Sequence, residues 1–147
     1  MEENILKTEM ELNTMSPLVW AYVGDAVYEL HVRTHLVKTT KLKPHRLHIE
    51  TIKFVKAKAQ ADILEKLQSS LTDEELEIVR RGRNTENHHI PKNAEIRDYQ
   101  YATALEGLIG YLYLNGQQER MKEILKLCIE YGNAWVGIMF EILCKTW

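Results

Sequence analysis

The sequence predicts an all-α domain of about six or seven helices, and three observations carry that prediction. Apolar residues recur at intervals of three and four along most of the chain, and no stretch alternates convincingly with period two. Prolines are scarce, at Pro17, Pro44 and Pro91, and two of the three stand where a helix can begin. Capping patterns, Ser16-Pro17 and Thr72-Asp73-Glu74-Glu75, precede the periodic runs. With 147 residues and 45% hydrophobic composition, residues 1–147 form a single domain that can bury a core without disulfides.

The first long helix runs from Pro17 to about Leu36, with Ser16 as its cap and Trp20, Val23, Val27 and Leu30 as its buried stripe. A basic connector, Lys38-Thr39-Thr40-Lys41-Leu42-Lys43, leads to Pro44, which opens a helical stretch reaching Leu67 in one or two pieces. The capping box at Thr72 starts a short helix that ends at Gly82. Residues Arg83 to Asn93 lack periodicity and read as the one long loop. A strongly apolar helix follows from Ile96 to Leu114 and stops at Asn115-Gly116. Two further helices are expected, Gln118 to Tyr131 ended by Gly132, and Ala134 to about Lys145.

Cys128 and Cys144, the two cysteines, make no CxxC pair, which argues for a reducing compartment and against a zinc site or a disulfide scaffold. His31 and His35 have ligand spacing on a helix but lack a third partner, so they read as surface or contact residues. The start, Met1-Glu2-Glu3-Asn4, is acidic with no apolar run after it, and no segment approaches the roughly 18 apolar residues of a membrane span. A cytoplasmic protein with no membrane partner is expected.

Two acids break the pattern. Asp25 sits in Tyr22-Val23-Gly24-Asp25-Ala26-Val27, and Glu106 in Ala102-Thr103-Ala104-Leu105-Glu106-Gly107-Leu108-Ile109-Gly110. An ionised carboxylate among apolar residues needs a cation, a set of hydrogen bonds or water. The small neighbours Gly24, Ala26, Gly107 and Gly110 would let two helix backbones approach, which would repay the helix propensity that glycine loses. Two carboxylates held together repel unless a hard divalent cation lies between them, and magnesium suits such a site. The bland alternative makes both acids ordinary exposed residues of amphipathic helices. It is weaker for Glu106, which shares its face with Tyr99, Ala102, Ile109 and Tyr113.

The formal net charge is −2, but charge is segregated. Lys41, Lys43 and Lys56 belong to one basic segment, and Arg80, Arg81, Arg83, Asn84 and Lys92 to another around the long loop. Clustered cations suffice to hold a nucleic-acid backbone, although each run also reads as a solvated helix face.

Tyr22-Val23-Gly24-Asp25-Ala26-Val27 resembles the signature helix of the ribonuclease III family, where a Gly-Asp-Ala-Val core carries a metal-binding aspartate. Glu106-Gly107-Leu108-Ile109-Gly110 resembles that family's second catalytic helix, in which a glutamate opens a Glu-Ala-Leu-Ile-Gly stretch. The resemblance is strongest over residues 16–116. The chain length and Ala57-Lys58-Ala59-Gln60-Ala61 point to the Mini-ribonuclease III branch, which has the catalytic domain without a double-stranded RNA-binding domain. The resemblance implies a ribonuclease III-type fold and an endonuclease for double-stranded RNA, yielding 5′-phosphate and 3′-hydroxyl ends. It implies Asp25 and Glu106 as catalytic metal ligands, with Mg2+ as the cofactor and Mn2+ as its substitute. It also implies a homodimer with Trp20, Tyr22 and Val23 at the interface, and the large-subunit (23S) ribosomal RNA precursor as substrate. Two family carboxylates are replaced, by Ala21 and Thr103, so more waters or help from Glu29 or Asp98 is expected in the coordination shell. The competing functions are a catalytically silent RNA-binding module of the same fold and an all-α protein-binding adaptor.

Overall fold

Ser16 opens the long helix as the sequence predicts, its hydroxyl accepting the Leu18 N–H at 3.3 Å while Pro17 takes the first helical position. The computed structural model describes residues 9–86, 90, 92 and 95–145, with side chains as far as Asn133. Its helices are α1 (Glu9–Thr14), α2 (Pro17–Thr39), α3 (Pro44–Val55), α4 (Ala57–Leu67), α5 (Asp73–Asn84), α6 (Ile96–Leu114) and α7 (Gln118–Lys145). A 3₁₀ turn at Gln68–Ser70 separates α4 from α5, and no strand occurs among the described residues. The fold is all-α, as expected.

Helix α6 is the centre. Residues Ala102 to Leu105 and Gly107 to Leu112 are all buried, so α6 is covered on nearly every side. Helices α2, α4, α5 and α7 surround it. The closest approach is the crossing with α2. A Cβ on Gly24 would overlap the Glu106 carbonyl, and one on Gly110 would overlap the Trp20 carbonyl. The buried stripe of α2 is Trp20, Gly24, Tyr28, Val32 and Leu36, spaced by fours. Of the stripe expected from the sequence, Trp20 belongs to it, Val23 and Val27 are half-buried, and Leu30 is 67% exposed. Apolar residues occur all round α2, so periodicity alone does not choose its face; the glycine contact with α6 does.

Two glycines expected to end helices are packing residues instead. Gly82 lies inside α5, where a Cβ would come within 2.9 Å of the Ala104 Cα, and α5 continues to Asn84. Gly132 lies inside one continuous α7, where a Cβ would meet the Phe54 ring at 2.6 Å. Arg83 and Asn84 are therefore helical, and the loop begins at Thr85. His88, His89 and Trp147, and the side chains of Trp135 and Cys144, lie outside the described residues. Cys128 is a free thiol, and burial pushes its pKa up to about 12.

The capping box at Thr72 is complete. The Thr72 hydroxyl accepts the Glu75 N–H at 3.2 Å, and Glu75 accepts the Thr72 N–H at 2.9 Å. Glu75 is buried, and Arg120 of α7 binds both its oxygens, at 2.9 and 2.8 Å, while reaching the Ser70 carbonyl at 2.8 Å. Burial raises the Glu75 pKa, but the bonds from Arg120 and Thr72 outweigh it and hold the carboxyl below its ordinary 4.5. A depressed folded pKa contributes stability that is present above the unfolded value and is lost as pH falls through the folded one. Arg120→Ala should therefore cost about 3 kcal/mol at neutral pH, since it strands a buried carboxylate. In urea unfolding series, the gap from the wild type should narrow as pH drops below 4.5.

Candidate active site

The α2–α6 crossing brings Asp25 and Glu106 to one place. Gly24 packs its backbone on the Glu106 carbonyl, so the residue following it stands beside the Glu106 turn. Asp25 is exposed and Glu106 half-buried. Burial raises the Asp25 pKa, and repulsion from Glu29 one turn away raises it further. For Glu106, burial dominates, a hydrogen bond from Gln60 opposes it, and repulsion from Asp25 adds to it; the carboxyl is pushed up to about 7. Two carboxylates that both resist ionisation, with the charge of Asp25 felt at Glu106, form a site suited to a positive charge.

The donor set fits a hard cation. No group of three or more His, Cys, Asp or Glu side chains suited to a metal occurs among the described residues. Two carboxylates, one exposed and one half-buried, match magnesium, which keeps several waters and takes phosphate oxygens. Asp25 and Glu106 would hold it. Ala21, one turn before Asp25, and Thr103, one turn before Glu106, are both buried and supply no charge. Glu29 pairs with Arg33 at 3.4 Å, and Asp98 with Arg97 at 3.5 Å.

A polar cleft of about 340 Å³ is lined by Asn84, Thr85, Ile90, Tyr99, Gln100 and Thr103, without either acid of the pair. It joins the end of α5 to the turn of α6 that precedes Glu106, so Asn84 and Thr103 line the same cleft. A larger cleft of about 1000 Å³ lies at the start of α5, among Asp73, Glu74, Arg81, Tyr111 and Arg120, and includes neither acid of the pair.

The cations expected to meet phosphate divide into two groups. Lys41, Lys43, Lys56 and Lys92 are exposed and Arg83 is half-buried, with no ion pair to the described residues. Lys56 sits at the break between α3 and α4. Arg80 is held by Glu77 through two bonds, at 2.8 and 2.6 Å. Arg81 is used inside the fold: its guanidinium lies 4.7 Å from the centre of the Trp20 ring and donates to the Asn13 carbonyl at 2.9 Å. The structural contacts of Arg81 take it out of the phosphate-binding set.

Trp20 needs the same correction. It is 0% exposed, its indole N–H donates to the Leu12 carbonyl at 3.1 Å, and it stands edge-on to Tyr111 at 5.1 Å. It has no surface to offer a second copy. Tyr22, by contrast, is 83% exposed, and Val19, Leu30 and Val37 on the same helix are exposed with it.

Sequence reading missed Gln60. It is 2% exposed and donates to Glu106 Oε1 at 3.0 Å. Its signal was present in the spacing: with Ile63, Leu64 and Leu67 it completes the buried face of α4, and it is the polar member of that face. Tyr28, fully buried, donates to the Phe54 carbonyl at 2.8 Å; burial raises its pKa, and Cys128 and Glu106 add to the rise.

An all-helical domain with paired acids at a glycine crossing, and exposed lysines elsewhere on its surface, has the parts of a phosphodiester-cutting nuclease. The Ribonuclease III domain family matches residues 18–117, and the chain belongs to the ribonuclease III family. Its relatives place it in the Mini-ribonuclease III branch, as an endoribonuclease. It is 46% identical to the Mini-ribonuclease 3 of Thermoanaerobacter sp. (strain X514) over 88% of this chain and 92% of that one. It is 47% identical to the Mini-ribonuclease 3 of Clostridium tetani over 83% and 82%. A crystal structure of a Fusobacterium nucleatum protein superposes with a TM-score of 0.74 at 29% identity, covering 84% of this chain and 98% of that one.

Proposed function

We propose that this endoribonuclease hydrolyses double-stranded RNA at Asp25 and Glu106 with magnesium as its cofactor, manganese being able to replace it. The observation that carries the reading is the meeting of these two carboxylates at the Gly24–Gly110 crossing. Bound there, the cation supplies an activated water and neutralises charge on the phosphate in the transition state. Asp25 is exposed, while Glu106 is held from within by Gln60. Water attacks phosphorus, the bond to the 3′ oxygen breaks, and the products are a 5′-phosphate and a 3′-hydroxyl.

Lys41, Lys43, Lys56, Arg83 and Lys92, which make no ion pair among the described residues, hold the duplex through its phosphates together with Asn84 in the cleft. Arg83→Ala with Lys92→Ala should weaken duplex binding and lower the slope of log K against log salt by roughly one unit per lost contact. An unchanged slope in filter-binding titrations would show that the RNA lies elsewhere. The exposed apolar row of α2, with Tyr22 and Val23 beside Asp25, forms a two-fold contact between copies that gives each RNA strand its own acid pair. The substrate in the cell is the precursor of large-subunit (23S) ribosomal RNA, and the compartment is the cytoplasm, as in the branch it resembles. No helix of the described residues is long and apolar enough to cross a membrane.

The deciding test is cleavage of a perfect RNA duplex with magnesium and with chelator. Metal-dependent cuts with 5′-phosphate ends support the reading; binding without cleavage under any divalent ion overturns it. A stable monomer in sedimentation that cuts both strands at the full rate would remove the dimer.

A further inference from the structure

Gln60 is buried in the first turn of α4 and uses both amide hydrogens on partners outside its own helix. One goes to the Val55 carbonyl at 2.8 Å and the other to Glu106 Oε1 at 3.0 Å. Its own Oε1 is buried and has no hydrogen-bond partner. A desolvated amide is costly unless satisfied, so an orientation that strands the oxygen must be imposed by something stronger. Turning the amide over would set that oxygen against a carbonyl and a carboxylate, acceptor against acceptor. The two neighbours, not the glutamine's own needs, dictate how it sits.

We infer that Gln60 is a positioning residue that anchors one oxygen of Glu106 and leaves the other free to ligate the catalytic cation. The inference rests on the reading of Glu106 as a metal ligand. Here Ala21 and Thr103 are buried and uncharged, so a lone glutamate would be free to turn about its last torsion. An amide donor on one oxygen removes that freedom without adding negative charge to a site already short of cations. The same amide holds Val55, where α3 ends, and Tyr28 holds the neighbouring Phe54 carbonyl at 2.8 Å. The Val55 carbonyl, one residue before the exposed Lys56 at the break between α3 and α4, is thereby tied to the Glu106 carboxylate through two hydrogen bonds to one amide.

The test is Gln60→Met, which keeps an unbranched chain of similar length and removes both donors. Mn2+ affinity is measured by electron paramagnetic resonance without RNA, and single-turnover cleavage is followed against Mn2+ concentration. Loss of a residue that orients a metal ligand costs 10- to 100-fold in metal affinity or activity. The expected result is a half-saturating Mn2+ concentration raised by roughly that factor, duplex binding unchanged, and cleavage restored towards the wild-type rate at high Mn2+. A purely structural role predicts a lower melting temperature with unchanged Mn2+ affinity, and that outcome overturns the inference. If Gln60→Met does not melt cooperatively, Gln60→Asn, which withdraws the amide from Glu106 by one methylene, is held to the same two readings. Should Asp25→Asn and Glu106→Gln themselves leave Mn2+ binding unchanged, the ligand assignment fails, and this inference with it. If those two variants lose the metal while Gln60→Met retains it, only the role of Gln60 is lost.

Discussion

Asp25→Asn should fold, bind duplex RNA as the wild type does, and cut it roughly a thousandfold more slowly. The side chain keeps its size but loses the charge that would hold the cation. Metal-derived stabilisation of the transition state amounts to several kcal/mol, and each 1.36 kcal/mol is a factor of ten in rate. RNA affinity should survive because the cations assigned to phosphate lie elsewhere, on Lys41, Lys43, Lys56, Arg83 and Lys92. Glu106→Gln should lose cleavage to a similar degree, with a different signature in stability. Burial and the neighbouring Asp25 disfavour the charge on Glu106, so a neutral side chain of the same shape should melt at or above the wild-type temperature in metal-free buffer. The amide can still accept from Gln60. Single-turnover cleavage and calorimetry on both variants decide the matter. A variant that melts normally and cuts at the wild-type rate has lost nothing catalytic.

Gly110→Ala, like Gly24→Ala on the facing helix, should be strongly destabilising for so small a substitution. A methyl group there overlaps the Trp20 carbonyl, a backbone atom that cannot rotate away, so α2 and α6 must separate. Overpacking of this kind costs about 3 kcal/mol, at the upper end of its usual range. In a domain of this size that corresponds to about 10 °C in melting temperature. Separation also moves Asp25 away from Glu106, so the fraction that remains folded should cut more slowly. Gly107→Ala is the control. Its Cβ would meet only the Pro17 carbonyl, at an ordinary 3.7 Å, and removing a mid-helix glycine gains up to about 1 kcal/mol of helix propensity. Urea unfolding of the two variants should therefore move in opposite directions. Equal destabilisation would show that the crossing is not the tight point.

The amino-acid sequence by itself determined the parts of this protein that depend on neighbours along the chain. Ser16-Pro17 and the Thr72 capping box start α2 and α5 because their side chains bond backbone groups two or three residues away. Ile96–Leu114 was legible as a helix from its strongly apolar composition up to the stop at Asn115-Gly116. Asp25 and Glu106 stood out because a carboxylate amid small apolar residues is anomalous wherever the chain goes. The tertiary structure decided everything that depends on a partner from a distant part of the chain. Gly82 and Gly132 read locally as helix ends, yet each is a contact point, against Ala104 and Phe54. The sequence could not say which face of α2 is inside, since apolar residues ring it; the glycine contact with α6 turned Trp20 inward and left Tyr22 and Leu30 outward. Arg81 looked like a free cation until Trp20 and Asn13 were found beside it. Gln60 looked like one polar residue in a helix until Glu106, 46 positions away, was found on its amide. Local hydrogen bonds and propensities act over a few residues, whereas burial and electrostatics act through space, and the site of this nuclease is made where the two meet.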